Sequence, residues 1–353
     1  MARLGLPSIE VIFKELGTSA IERGDSGVVA MVLEKADIET PQVMEIYSAL
    51  DLSEDLDIHH RDMIVDCLKG SVYGVNKVIV VIAEDTLSGV KALMNYDFNY
   101  LVTPYIENSD CDEVATVVDH LRRDAKMVKY VAANYNADKS YVINFTTGGI
   151  KVGGEEIGTK EFTPRIAGII ASMPLAMSVT YQPIPEVEDV EAFTKEQLDT
   201  KIGNGELVLM NDGRKVKIAR GVTSVTTTGV AIPESFRKIK ILAIADLIKS
   251  DIIRTLQDSY IGKYPCDYDH KCLLISAINS YLKTLEREML LDDGSYCEID
   301  LLGQKLYLES KGINTVSMTD DEIMMANTGD NVYLKVNAKI LDVIENIDIE
   351  ITI

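Results

Sequence analysis

Tryptophan is absent from the 353 residues, histidine occurs four times, and aromatic residues amount to only 6%. With 46% apolar residues the chain still has ample material for a core, and its composition matches neither a disordered nor a collagen-like protein. No apolar run approaches the roughly 20 residues that span a bilayer, and the low-charge start MARLGLPSIEVIF lacks the apolar centre of a secretory signal. A soluble protein made in the cytosol, without membrane insertion, is therefore expected. Basic residues are also short: 35 against 56 acidic ones leave a net charge of −21, which repels a phosphate backbone and argues against nucleic-acid binding. The five cysteines, Cys67, Cys111, Cys266, Cys272 and Cys297, are odd in number and scattered, unlike a disulfide framework.

Chemistry-bearing motifs are missing too. His59, His60, His120 and His270 lie in no HExxH pattern, and no serine sits in a nucleophile elbow. His59 and His60 precede a helix and His120 stands among charged residues, so capping and surface placement are expected for them. Cys266, His270 and Cys272 in CDYDHKC have no second ligand pair close by and match no common zinc spacing. GGIKVGG has neither the Lys-Ser or Lys-Thr ending of a phosphate loop nor GxGxxG spacing, and the glycines of KGSVYGVNKVIVVIA precede their strand instead of following it. No catalytic, cofactor-binding or metal-ligating residue is assigned, and no enzyme is expected, although a triad drawn from distant parts of the chain stays open at this level.

What is present is a rhythm of strands and helices. GVVAMVLEKA and KVIVVIA are continuous apolar runs that read as buried strands, YLVTPY and SYVINFT as further strands. Between them IHHRDMIVDCLKG, TLSGVKALMN and SDCDEVATVVDHLRRDA read as helices, and TPQVMEIYSAL, with Thr40 as N-cap and Pro41 at the first turn, as another. This alternation predicts a mainly parallel sheet covered on both sides. Next come FTPRIAGIIASM as a helix, MSVTYQPIP as a strand, and a hairpin in GELVLMNDGRKVKIARG turned by Asn211-Asp212-Gly213. From Pro233 two long helices are expected, one stopping at Gly262 and one before Gly294, followed by strands in YCEIDLL and NVYLKVNAKILDVI.

Both ends of the chain carry an alternating apolar string. SIEVIFK places Ile9, Val11 and Phe13 on one face, and NIDIEITI does the same with Ile347, Ile349, Ile351 and Ile353. Neither string has an obvious returning partner.

RKIKILAIADLIKSDIIRTLQDSYIGKYPCD resembles the C-terminal part of contractile tail sheath proteins of myovirus-type phages and phage-tail-like bacteriocins, on Asp246, Asp251 to Arg254 and Tyr260 to Lys263. Ile253 departs from that pattern, where a basic residue is common. GLPSIEVIFKELGTSAIERGDSGVVAMVL, FTPRIAGIIASMPLAMSVTY, ARGVTSVTT and the ending NVYLKVNAKILDVIENIDIEITI resemble further stretches of the short Gram-positive type, in order along the chain. In the ending, Ile340 to Glu345 vary from the more usual Pro-Val-Asp-Ala-Met-Glu.

The resemblance implies a multi-domain α/β subunit with a mixed sheet flanked by helices, a helical and β inner domain, and extended terminal β arms. The corresponding divisions are an N-terminal arm at 1–20, an α/β region at 21–90, a subtilisin-like domain without a catalytic triad at 91–244, an inner domain at 245–336 and a C-terminal arm at 337–353. It also implies a structural role: six-fold rings stacked around an inner tube, contracting to drive the tube through a target envelope. Its partners would be neighbouring sheath subunits, the tube protein, and baseplate and terminator proteins; the particle would form in a bacterial host and act after release. Carried onto this chain, the alternating strings are the arms that pair between subunits. Lys283 and Arg287, four apart on one helix, are the candidate tube contact, and Gly17, Gly24 and Asn337 are candidate hinges. The competing readings are an α/β enzyme or ligand-binding protein, and the sheath of a related contractile secretion system.

Overall fold

Apolar runs that do not alternate must be buried on both faces, and this requirement organises the computed structural model, which describes residues 21, 27–230 and 232–352. Ile9, Val11, Phe13, Gly17, Gly24 and Ile353 lie outside those residues. The described chain forms two compact units, the larger from residues 27–254 with 285–293 and 339–352, the smaller from 255–284 and 294–338 with residue 21.

In chain order the larger unit contains β1 (Val28–Glu34), β2 (Gln42–Ile46), α1 (Ile58–Lys69), β3 (Lys77–Ala83), α2 (Thr86–Ala92), β4 (Tyr100–Val102) and α3 (Cys111–Arg123). It continues with β5 (Lys129–Ala133), β6 (Val142–Phe145), β7 (Ile150–Val152), β8 (Glu155–Ile157), α4 (Thr163–Ser172), β9 (Val187–Asp189) and α5 (Lys195–Gly203). β10 (Glu206–Leu207), β11 (Leu209–Asn211), β12 (Val216–Ile218) and α6 (Ile239–Thr255) follow. Seven strands form one sheet in the order β10-β6-β5-β4-β1-β3-β2, parallel throughout except for β2 at the edge.

Burial explains the composition of the central strands. Val29, Met31 and Leu33 of β1 enter one apolar cluster with α1 and α4 residues, while Val28, Ala30 and Val32 enter the opposite cluster with α3 residues. α1 stops where predicted, at Gly70 with φ +61. α4 crosses α1 so closely that a Cβ at Gly168 would lie 2.1 Å from the Cys67 carbonyl oxygen.

Several expected elements differ. TPQVMEIYSAL is not a helix: Gln42 to Ile46 pair with Ile82 to Val78 as the antiparallel edge strand, and only Ala49–Asp51 form a short 3-10 turn, capped by Ser48. Ladder bonds to β3 outweigh a weak helical preference there, and Pro41, which has no N–H to donate, stands just before the ladder begins. MSVTYQPIP forms turns with one isolated bridge at Pro183, because prolines 183 and 185 remove ladder donors and Tyr181 sits at φ +59. His60 is buried inside α1 with its ring edge-on to Tyr105, not at the surface. β5 and α5 were not anticipated: KYVAA is short and opens on a lysine, and α5 buries no residue, so neither leaves a strong period.

The smaller unit contains most of α7 (Tyr268–Arg287), then β13 (Tyr296–Ile299), α8 (Leu301–Ser310), α9 (Asp320–Met325) and β14 (Leu334–Asn337). α7 ends at Arg287, before Gly294 as expected, and Met289 just beyond it takes a left-handed φ of +58. α8 and α9 were also not anticipated. β13 and β14 make a two-stranded antiparallel sheet.

One buried ion cluster fixes α6 on the larger unit. Arg122, near the end of α3, donates through both Nη atoms to Asp246 at 2.9 and 2.8 Å, and Lys129 Nζ at the start of β5 lies 3.0 Å from the same carboxylate. Burial pushes the Asp246 pKa up, but the two cations outweigh it and hold the group ionised, below the ordinary carboxylate value. Removing the carboxylate leaves two buried cations facing each other. Asp246→Ala is expected to cost about 3–5 kcal/mol of stability by denaturant titration, with part regained when Lys129→Met is added.

Candidate functional site

The chain leaves β14 through Ala338 and is then tied down residue by residue. The Asp292 N–H donates to the Lys339 carbonyl at 2.8 Å, Ile340 bridges Leu291, and the Leu341 N–H donates to the Leu290 carbonyl at 3.0 Å. Lys240, in the first turn of α6, donates to the Leu341 carbonyl at 2.6 Å.

Glu345 completes this root. Its carboxylate accepts from Thr180 Oγ1 at 2.7 Å, from Arg220 Nη2 at 2.7 Å, and lies 2.8 Å from Lys238 Nζ, which also pairs with Asp342. Only 6% of the Glu345 side chain is exposed. Burial pushes its pKa up, but hydrogen bonds from Lys238, Arg220 and Thr180 outweigh that and bring it down to about 2. The Lys238 ammonium is disfavoured by burial and more than restored by Asp342 and Glu345, so its pKa rises.

Beyond Glu345 the character of the chain inverts. Asn346 to Thr352 are exposed and form no ladder, with Ile347, Ile349 and Ile351 at 70, 77 and 79% exposure. The expected strand is thus an unpaired arm whose apolar face is open, fastened at its base by a buried carboxylate.

The other predicted positions are separate from this root. Lys283 and Arg287 are both exposed on α7, and none of the ion pairs among the described residues involves either. Asn337 is the last residue of β14, opposite Tyr296, and the boundary between the compact units follows it at Ala338 and Lys339. Thr180, Arg220, Lys238, Lys240, Asp342 and Glu345 all lie within strings that resemble tail sheaths, but sequence reasoning singled out none of them, because they meet only through distant folding.

Features of a reactive centre are scarce. Among the described residues no three His, Cys, Asp or Glu side chains converge as metal ligands, and His270 Nδ1 meets Asp267 Oδ1 at 2.6 Å. A cleft of about 880 Å³, open to solvent, is lined by Asn99, Lys129, Met173, Leu175, Lys240 and Asp246. It lies at the amino ends of β4 and β5, whereas open α/β sheets bind ligands beyond their carboxyl ends.

Residues 80–224 match the phage tail sheath protein central domain and residues 232–353 the phage tail sheath C-terminal domain. The tail sheath protein of Clostridium phage phiCD119 is 37% identical over 98% of this chain and 99% of its own length. This chain belongs to the phage tail sheath family. Its fold is shared by the sheath tail protein of Desulfitobacterium hafniense, at TM-score 0.70 and 16% identity over 83% of this chain and 94% of that one. It is shared equally by the helical sheath of the anti-feeding prophage in its contracted state, at TM-score 0.72 and 14% identity over 99% of both chains. The protein is a structural subunit of a phage tail or tail-like particle, and its arm root is to be understood as part of a sheath.

Because the Glu345 pKa is depressed, its contribution to holding the arm is present above the ordinary carboxylate value of 4.5 and is lost as pH falls through about 2. Hydrogen exchange at Ile340 to Glu345 should therefore stay slow down to pH 4 and accelerate below pH 3. Glu345→Gln should ease local opening by about 1.5–3 kcal/mol at neutral pH, read by the same exchange.

Proposed function

We propose that the subunit assembles into stacked six-fold rings around an inner tube and is held to its neighbours by exchange of its terminal arms. The observation that carries this reading is an arm with 70–79% exposed isoleucines on a root clamped by Glu345. Exposing alternate isoleucines to water has no benefit for a lone chain, but it suits a strand added to another subunit's sheet, where main-chain bonds give continuity and side chains set register. Such donor-to-acceptor contacts are heterologous and extend into rings and helices without closing as dimers. In this reading residues 1–20 and 337–353 are the arms, 21–90 and 91–244 the outer body, and 245–336 the inner domain. The joint between body and arm bends near Asn337, with Gly17 and Gly24 serving the other arm.

The work of such a sleeve is mechanical, and we assign the subunit no catalysis. If each subunit gains about 1–3 kcal/mol of contact energy on contraction, comparable to a modest packing change, the sum over many copies drives the tube without nucleotide hydrolysis. The trigger comes from a baseplate and the far end is closed by a terminator protein. Assembly takes place in the bacterial host, and contraction occurs after release.

Lys283 and Arg287 are the tube contact in this account, through weak, exposed charge pairing that lets the tube leave. Deleting Asn346–Ile353 should abolish sheath polymerisation in electron micrographs while leaving thermal unfolding of the subunit unchanged; full-length sheaths from the truncated chain would sink arm exchange. Lys283→Glu with Arg287→Glu should weaken co-sedimentation with the tube about tenfold while sheath-to-sheath contacts persist, and unchanged tube binding would remove these residues from the contact.

A further inference from the structure

Glycine after asparagine or aspartate is a setting in which a chain can rewrite its own backbone. With no Cβ in the way, the glycine nitrogen can close on the side-chain carbonyl carbon of the residue before it and form a cyclic succinimide. The sequence has three such pairs, Asn204-Gly205, Asp212-Gly213 and Asp293-Gly294. The fold treats them differently.

At the first pair the attacking group is engaged and enclosed. The Gly205 N–H donates to the Ile202 carbonyl at 3.0 Å, and Gly205 is buried, with the Ser224 carbonyl oxygen 2.7 Å from where a Cβ would stand. At the second pair both reacting groups are held. The Gly213 N–H donates to Asn211 Oδ1 at 2.9 Å, while Asp212 accepts from the Arg214 and Lys215 N–H groups at 3.0 Å each and from Lys217 Nζ at 2.8 Å. Lys217 and those N–H groups hold the Asp212 carboxyl ionised, well below the usual carboxylate range, and an ionised carboxylate has no hydroxyl to lose.

Asp293 and Gly294 are under neither restraint. Both are exposed, in the turn where the chain leaves the larger unit for β13. Among the described residues no hydrogen bond takes the Gly294 N–H, and no hydrogen bond or ion pair holds the Asp293 carboxyl. Gly294 stands at φ +90 with open space within 4 Å of where a Cβ would be, so its peptide can turn toward the side chain without displacing a neighbour.

We infer that Asp293 is a self-modification site, where ring closure with Gly294 and reopening yield isoaspartate, while Asn204 and Asp212 stay intact in the folded subunit. In the first step the Gly294 nitrogen bonds to Asp293 Cγ, and the carboxyl hydroxyl leaves with the amide proton as water. In the second, water adds back to the ring. Where it breaks the bond between that nitrogen and the Asp293 backbone carbonyl carbon, the chain continues through Cβ and Cγ and is one carbon longer. The former backbone carbonyl becomes a free carboxylate, so net charge is unchanged and nothing is oxidised or reduced.

The preceding residue links this change to the arm root. Asp292 holds Lys339 twice, by its N–H to the Lys339 carbonyl at 2.8 Å and by its carboxylate to Nζ at 2.6 Å, and it also accepts the Asp293 N–H at 3.1 Å. A carbon inserted at the next residue disturbs that bracket and loosens the tie.

The test is a time course on the full-length folded subunit beside the same chain in urea, in mildly acidic buffer for the aspartates and neutral buffer for the asparagine, run until the urea samples are modified. Isoaspartate is measured by labelling with protein isoaspartyl methyltransferase and placed by peptide mass spectrometry. The expected result is isoaspartate at Asp293 alone in the folded subunit and at all three pairs in urea. Modification of Asn204 or Asp212 in the folded subunit as fast as Asp293 would overturn the selection, and an intact Asp293 there would overturn the site. Asp293→Glu, which would have to close a larger and slower-forming ring, should erase labelling of the folded subunit; labelling that persists would overturn the assignment. In the modified fraction, hydrogen exchange at Asp292 and Leu341 should quicken, and unchanged exchange would break the link to the root.

Discussion

A carboxylate with almost no access to water governs the geometry of this subunit. Asp246 is held by Arg122 and Lys129, and through it α6 takes a fixed position against α3 and the start of β5. Buried charges of this kind contribute little net stability, but they tolerate few alternative arrangements, because each displaced cation would need a new partner. α6 therefore has one register on the body. Lys238 and Lys240 stand at its beginning, so the register of the helix decides where Asp342, Leu341 and Glu345 can be seized. The position of the arm root thus depends on an ion cluster two helical turns away.

The root and the arm divide the work between charge and apolar surface. Up to Glu345 the chain is fastened by backbone bonds and a carboxylate with three donors; after it, little but solvent surrounds the isoleucines. A firm root lowers the ordering cost of any pairing by the arm, since only the last residues must be immobilised. Under the proposed arm exchange, tension would pass from one subunit's body to the next through covalent chain and ladder bonds, not through side-chain contacts that slide.

Much of this architecture was legible in the sequence wherever burial imposed a period. KVIVVIA and GVVAMVLE are apolar on both faces because β3 and β1 are covered on both faces, and Gly70 ends α1 because only glycine takes its φ readily. Misreadings occurred where tertiary bonds overrode local preference, as in β2, or where an element buries nothing, as in α5. The arm was visible as alternation, yet its root was not: Thr180, Arg220 and Lys238 are separated from Glu345 by more than a hundred residues, and no local pattern announces such a meeting. Asn279 is the same case on a smaller scale, a polar residue on a helix whose purpose depends on a strand 18 residues later.

That asparagine has a consequence of its own. One side chain holds both the N–H and the C=O of Cys297, so α7 and β13 part only when both bonds break together, and at that residue the strand keeps no backbone donor or acceptor for anything else.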